Sequence, residues 1–425
     1  MSARLRHKKK LKTNPFYIID MNLKRNITIL AASAAIITVQ AVLPSGKLYG
    51  QSTDNIDSVL ASVERNNLLL RAMQQNNEAS KLEIQAQNNL QQDLSISYSP
   101  FFTRGYDGIS SSELVVSMGF DFPSQYVSRS KSGKLQTQAL DMQYALQRRD
   151  ILLQAQLLCL DLIRLNQEKN LLDTRMANAD ELLVLMEKRF SEGGANIIEV
   201  NKVKLERMNV RTLAAQNEAS RQNVLQSLKA LNGNTPVGLT ANEYPSSMEI
   251  SDYEEFHAEI MATDAAILSA EANADAAAQE IKVNRQNWLP KFEVGYRRNT
   301  AALEASHGFI VGASIPLFSS RNKTKIAQAR HTAAQSELEN ARLSAETELA
   351  SKYNEIAQIY TAVQTYDLDL MQSTLDALKA AVLAGQMSVI DYYVEADNVY
   401  GSLATYLDLE NQYRKLLAEA YKNRL

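Results

Sequence analysis

Between Ser124 and Phe190 the chain has no proline and a single glycine, Gly133, close to the start of the run. A proline inside a helix costs about 3 kcal/mol, so the intervals between prolines are where helices can lie. The eight prolines are Pro15, Pro44, Pro100, Pro123, Pro236, Pro245, Pro290 and Pro316. From Leu158 the apolar positions of the run recur in steps of four and three: Leu158, Leu162, Leu165, Leu172, Met176, Ala179, Leu183, Met186 and Phe190, with Lys169 in the one polar slot. Such a heptad seam requires a partner helix. At the rise of an α-helix the run is about 100 Å long, about twice the width of a compact globule of this many residues. The chain therefore builds an elongated body, and a composition of 45% hydrophobic and 22% charged residues suits a helical one.

The first fifty residues have the pattern of an export signal. Met21 is a second plausible start; Lys24 and Arg25 form a basic segment, Ile27 to Leu43 an apolar core, and Leu48, Tyr49 and Gly50 a cleavage site ahead of Gln51. An N-terminal membrane anchor is the alternative, weakened by Gln40 and Pro44. Arg4, Arg6, Lys8, Lys9, Lys10 and Lys12 belong either to an extended basic segment or to an upstream start. Cleavage removes nine basic residues and one acidic residue, so the formal net charge moves from −3 to −11. An acidic chain without basic patches is a poor partner for phosphate backbones, which excludes nucleic acid as a ligand. Cys159 is the one cysteine, so an intrachain disulfide and an all-cysteine metal site are both ruled out, and it is expected as a small buried residue.

After a helical run from Asp54 to Gln92 the period changes. Leu94, Ile96 and Tyr98 alternate with serines, and beyond a turn with Pro100, Gly105 and Gly108, Leu114, Val116, Met118, Phe120 and Phe122 alternate with Val115, Ser117, Gly119 and Asp121. This predicts a hairpin. The long helix follows, turns at Gly193, Gly194 and Asn196, and gives way to a shorter helix from Ile197 to Leu231. The second half repeats this order. It has a helix from Asp252 to Trp288, alternating runs at Phe292, Val294, Tyr296 and at Phe309, Val311, Ala313, Ile315, a long helix from about Ser319 to Ala384, a turn at Gly385 and a helix from Val389 to Asn423. Pro123 and Pro316 are 193 residues apart, and Gly193 and Gly385 are 192 apart. The predicted division is a targeting segment 1–50, a first repeat 51–231, a connecting loop 232–251 and a second repeat 252–425.

In each repeat the two shorter helices, stacked end to end, match the long one, which places both hairpins at one pole of a rod. Four strands cannot close a barrel and their edges need partners. Two chains would supply eight strands, enough only for a filled barrel, whereas three would supply twelve and leave a passage.

The tandem organisation, the segment Val311-Gly312-Ala313-Ser314-Ile315-Pro316-Leu317-Phe318, and the turns Phe190-Ser191-Glu192-Gly193 and Leu383-Ala384-Gly385-Gln386, followed by Ile198-Glu199-Val200 and Ile390-Asp391-Tyr392, resemble the outer-membrane efflux protein family typified by TolC. The resemblance covers about residues 52 to 424. It implies a mainly α fold with β hairpins, in which a homotrimer forms a twelve-stranded outer-membrane barrel continued by a hollow helical barrel into the periplasm. It further implies docking to a periplasmic adaptor and an inner-membrane pump, and passive conduction in efflux or type I secretion. Some family members carry a lipidated N-terminal cysteine, and this sequence has none near residue 51.

The resemblance makes Gly193, Gly194, Asn196, Gly385 and Ser388 the periplasmic tip and adaptor contact. It places Asp391 in a carboxylate ring at a pore gate, with Glu395 one position later than the family's usual second acidic residue, where Val394 stands. A capping role for Asp391 at the start of its helix is the alternative, and the equivalent Glu199 fits it equally. His7, His257, His307 and His331 lack ligand spacing, and no phosphate loop, nucleophile elbow or cofactor motif is present, so neither an enzyme nor a cofactor is expected. Trp288 fits either an interfacial aromatic belt or a packed helix cap. A periplasmic coiled-coil adaptor or a structural protein of the cell envelope is the other reading of the helices, but leaves the hairpins unexplained.

Overall fold

The computed structural model describes residues 55–88, 94–246, 252–301, 304–316 and 322–425. The export segment, Leu317 and Phe318, and the beginning of the predicted second long helix lie outside these residues.

The first half contains α1 (Ile56–Asn66), α2 (Leu68–Asn88), β1 (Leu94–Phe101), β2 (Ser111–Phe120), α3 (Pro123–Ser191) and α4 (Ile197–Leu231). The second contains α5 (Tyr253–Thr263), α6 (Ala265–Arg285), β3 (Lys291–Ala301), β4 (Ala305–Ser314), α7 (Lys323–Gln364), α8 (Leu368–Leu383) and α9 (Val389–Ala420), then a short 3₁₀ turn at Lys422–Arg424. The expected 124–190 helix is continuous as α3, with Pro123 in its first turn, where the missing N–H costs nothing.

Three expected helices are broken, each by a short polar side chain that competes for the backbone. The Asp54–Gln92 run divides at Asn67, whose carbonyl accepts from Leu70 N and whose amide donates to Leu231 O. The Asp252–Trp288 run divides at Asp264, which accepts from the amides of Ala266 and Ile267, and its helix ends at Arg285. The second long helix divides at Thr365–Asp367, where Asp367 caps Leu370 N. The last helix stops at Ala420 rather than Asn423, Phe122 stands at the N-cap of α3 rather than in a strand, and Ile315 lies just past β4.

Both hairpins join in one antiparallel sheet, β1-β2-β3-β4. Its register sorts the side chains cleanly. Leu94, Met118, Val294 and Val311 form one cross-strand row, and Ile96, Val116, Tyr296 and Phe309 the next, all on one face. The other face carries Ser95, Ser117 and Gly295, then Ser97, Val115 and Arg297. The apolar face is most exposed on β4, where Phe309 is 90% and Val311 85% exposed, and half-buried on β2.

Beneath the sheet, α2, α3, α6 and α7 lie side by side in the lateral order of the strands they join. Ala139, Ala272 and Ala276 line the α3–α6 contact and let these helices approach closely. Farther from the sheet the row becomes α4, α3, α9 and α8. A middle belt packs Ile56, Val59 and Val63 of α1 against Leu152, Leu162 and Ile163 of α3, and Phe256 and Ile260 of α5 against Ile356 and Leu417. The α3 seam is buried at Leu162, Leu165, Leu172, Ala179 and Met186, whereas Phe190 emerges at the far end, 46% exposed.

Cys159 is fully buried in the belt, and burial pushes its thiol up to about 12. The folded protein should therefore resist maleimide at neutral pH and take up one label per chain only after unfolding in guanidinium, as read by intact mass. Rapid labelling of the folded protein would contradict this packing.

Candidate functional site

The end of the body remote from the sheet is built from two turns of the same design. At the end of α3, Gly194 N donates to Arg189 O at 2.7 Å and Gly193 N to Phe190 O at 3.1 Å; at the end of α8, Gln386 N donates to Ala381 O at 2.9 Å and Gly385 N to Val382 O at 3.0 Å. Gly193 and Gly385 have φ of 77° and 73°, the left-handed conformation that closes a helix in this way and that a side chain resists. The following helices start alike. Asn196 accepts from Glu199 N while the Glu199 carboxylate accepts from Asn196 N, a complete capping box. Ser388 accepts from Asp391 N at 3.1 Å and donates to Asp391 Oδ2 at 2.7 Å.

The fold brings the two turns together. Arg189 Nη2 donates across to Leu383 O at 3.0 Å, and a shared core joins Leu182 and Met186 of α3, Val200 and Val203 of α4, Leu375 and Val382 of α8, and Val389, Tyr392 and Tyr393 of α9. Gly193, Gly194, Asn196, Gly385 and Ser388 thus belong to one tip. Asp391, Val394 and Glu395 are exposed on α9, away from the buried Tyr392, Tyr393 and Ala396. Ser388 is the N-cap of α9, and Asp391, in the first turn, accepts from its hydroxyl while remaining exposed.

The tip also depends on a charged group that no local pattern marks. Arg175 of α3 reaches Glu206 of α4 through Nε at 2.6 Å and Asp397 of α9 through Nη2 at 2.5 Å. Its guanidinium lies 4.6 Å from the Tyr400 ring centroid. The Arg175 and Glu206 side chains are only 11% and 4% exposed. Burial pushes the Tyr392 and Tyr393 hydroxyls far above the ordinary tyrosine range, so this core stays neutral around the charged triad. The partners lie on three helices, beyond the reach of sequence periodicity. The only local signal was the Tyr392-Tyr393 pair with Tyr400 one face further along.

At the opposite pole the sheet offers an apolar outer face and a polar inner one, on which Glu113 pairs with Arg297, and Asp121 with Arg129 at 2.7 Å and Lys291 at 3.3 Å. Trp288, 65% exposed below β3, does not act as a packed cap. No His, Cys, Asp and Glu cluster suited to a metal ion occurs among the described residues, and no described helix is long and apolar enough to cross a membrane.

A four-stranded sheet continued by helices in the same lateral order is the fold of TolC-like channels. Residues 258–421 match the outer membrane efflux protein family. The structure resembles CusC, a transmembrane channel, with a TM-score of 0.69 and 16% identity over 89% of this chain and 95% of that one. It resembles the outer membrane protein VceC of Vibrio cholerae with a TM-score of 0.66 and 16% identity over 87% and 95%. The CmeC outer membrane channel of Campylobacter jejuni gives 0.67 and 14% over 87% and 85%. No curated protein matches the chain. The second half of the chain thus matches an outer membrane efflux protein domain, and the chain as a whole has the fold of the TolC-like channels.

Replacing Arg175 with Met strands the Glu206 carboxylate in the core, a loss of about 3–5 kcal/mol for a broken buried pair. Hydrogen exchange should accelerate in α4 and α9 near the tip. The double variant Arg175→Met, Glu206→Leu should recover most of the protection. Unchanged exchange in the single variant would show that the triad does not hold these helices together.

Proposed function

We propose that this protein is the outer-membrane channel of a tripartite efflux or type I secretion system, passively conducting substrates handed to it by a pump and adaptor. The observation that carries this reading is the sheet. Its apolar face is exposed on β1, β3 and β4 and half-buried on β2, its opposite face is polar and internally ion-paired, and its two edges are open. Exposed apolar rows of this size do not persist in water, and open edges do not persist in lipid. Three copies joined edge to edge give twelve strands, a closed wall and an aqueous interior. The apolar rows then face the outer-membrane lipid, and the helices continue the wall as a barrel into the periplasm. The two halves of the chain act as tandem repeats, 51–231 and 252–425, joined by the loop 232–251.

In this assembly the tip formed by Gly193, Gly194, Asn196, Gly385 and Ser388 is the part farthest from the membrane and the contact for the periplasmic adaptor. Threefold symmetry brings three Asp391 carboxylates toward the axis, with Glu395 a turn further along α9. Such a ring attracts cations and repels anions. Because Asn can still accept the cap bond, Asp391→Asn removes charge and little else.

Purified protein in planar bilayers should give cation-preferring conductance that is blocked by multivalent cations, and Asp391→Asn should weaken both preference and block. If the variant conducts and is blocked like the parent, the gate lies elsewhere. If the parent does not conduct at all, the channel reading falls.

A further inference from the structure

The polar face of the sheet balances its charges, but the apolar face does not. Arg298 of β3 lies in the same cross-strand row as Tyr98, Leu114 and His307, on the face that carries Ile96, Val116, Tyr296 and Phe309. It is exposed and makes no ion pair with any described residue, in contrast to its neighbour Arg297, which turns to the other face and pairs with Glu113. His307 is its direct partner on β4, and the Tyr296 hydroxyl is hydrogen-bonded to His307 Nδ1. Directly opposed residues on one face of a pair lie within about 5 Å, so Arg298 and His307 form one compact cluster of donors beside a phenol.

Position along the wall gives this cluster a meaning. From the lowest apolar row, at Phe292, to Arg298 is about 20 Å along the strand, or about 15 Å along the membrane normal at the usual strand tilt. The next row on this face, Pro100, Ser112, Thr300 and Ala305, holds no large apolar side chain, so Arg298 stands where the apolar band ends on the side away from the helices. A lone cation facing hydrocarbon is costly, whereas one at the headgroup level meets anionic phosphate.

We propose that Arg298, with His307 and Tyr296, is a binding site on the outer surface of the barrel for the phosphate of an outer-leaflet lipid, three per assembly. This rests on the reading of the sheet as a membrane wall. The planar guanidinium forks onto two phosphate oxygens, and His307, steadied by Tyr296, supplies a further ring nitrogen.

The test is native mass spectrometry of the detergent-purified full chain titrated with bis-phosphorylated lipid A, with the same lipid stripped of phosphate, and with inorganic phosphate. The parent should retain the phosphorylated lipid more tightly than the stripped one. Arg298→Gln should lower its affinity for the phosphorylated lipid about tenfold, the scale of one lost charge-assisted contact, and leave the stripped lipid unaffected. His307→Ala should give a smaller loss, and Arg342→Gln, an equal change of charge on α7, none. Equal affinity in Arg298→Gln and the parent overturns the site. Displacement of the lipid by millimolar inorganic phosphate overturns the lipid as its ligand. If the parent instead remains soluble without detergent and takes up neither lipid, the membrane wall falls, and this site with it.

Discussion

Backbone hydrogen bonding is the constraint from which the rest of the chain follows. The sheet satisfies every internal strand through its neighbours, but β1 and β4 each present one unpaired row of donors and acceptors. In hydrocarbon each such group costs several kcal/mol, so an open edge at membrane depth has to be matched by another edge. The lateral order carries this demand into the helices. Because α2, α3, α6 and α7 follow the order of the strands, any ring that joins β4 of one copy to β1 of another also brings α7 of the first toward α2 of the second. Leu82 of α2 and Ile326 and Leu343 of α7 are exposed in the single chain, as a lateral contact of this kind requires.

At the tip a different balance operates. Four helix ends converge there, and their terminal amides and carbonyls are satisfied locally by two glycine turns and two side-chain caps, Asn196 and Ser388. This leaves the tip self-contained within one chain, held by an apolar core around the buried Arg175–Glu206 pair and its half-exposed partner Asp397. An opening motion would separate helices whose shared partner is Arg175, since its guanidinium touches α4 and α9 together. Asp391 stands outside that core. Its carboxylate accepts from the Ser388 hydroxyl and remains exposed.

The elements legible in the sequence were those with a local cause. Pro123 marked the start of α3, Gly193 and Gly385 marked the tip turns, and alternation at Leu94–Tyr98 and Phe292–Tyr296 marked the strands. Where two local signals opposed each other, the apolar period misled. Asn67 and Asp264 sit within helical runs, but their side chains cap the next segment, and only the tertiary partner Leu231 explains why Asn67 breaks the helix completely. Asp367 divided the second long helix for the same reason, whereas in the corresponding stretch of α3 Asp173 pairs with Lys169 and the Thr174 hydroxyl donates back to Asn170 O, and the helix continues. The Arg175 triad was illegible because its members lie on three helices and none interrupts a pattern. Arg298 lay in plain view in the alternation, yet its meaning emerges only when four strands are set in register.

The account stands or falls on closure by three copies. The most direct measurement is the mass of the assembly extracted from the outer membrane in mild detergent, determined by native mass spectrometry. Three chains per particle, persisting on dilution, is the predicted result. A stable single chain, or a pair whose eight strands would leave no passage, would contradict it.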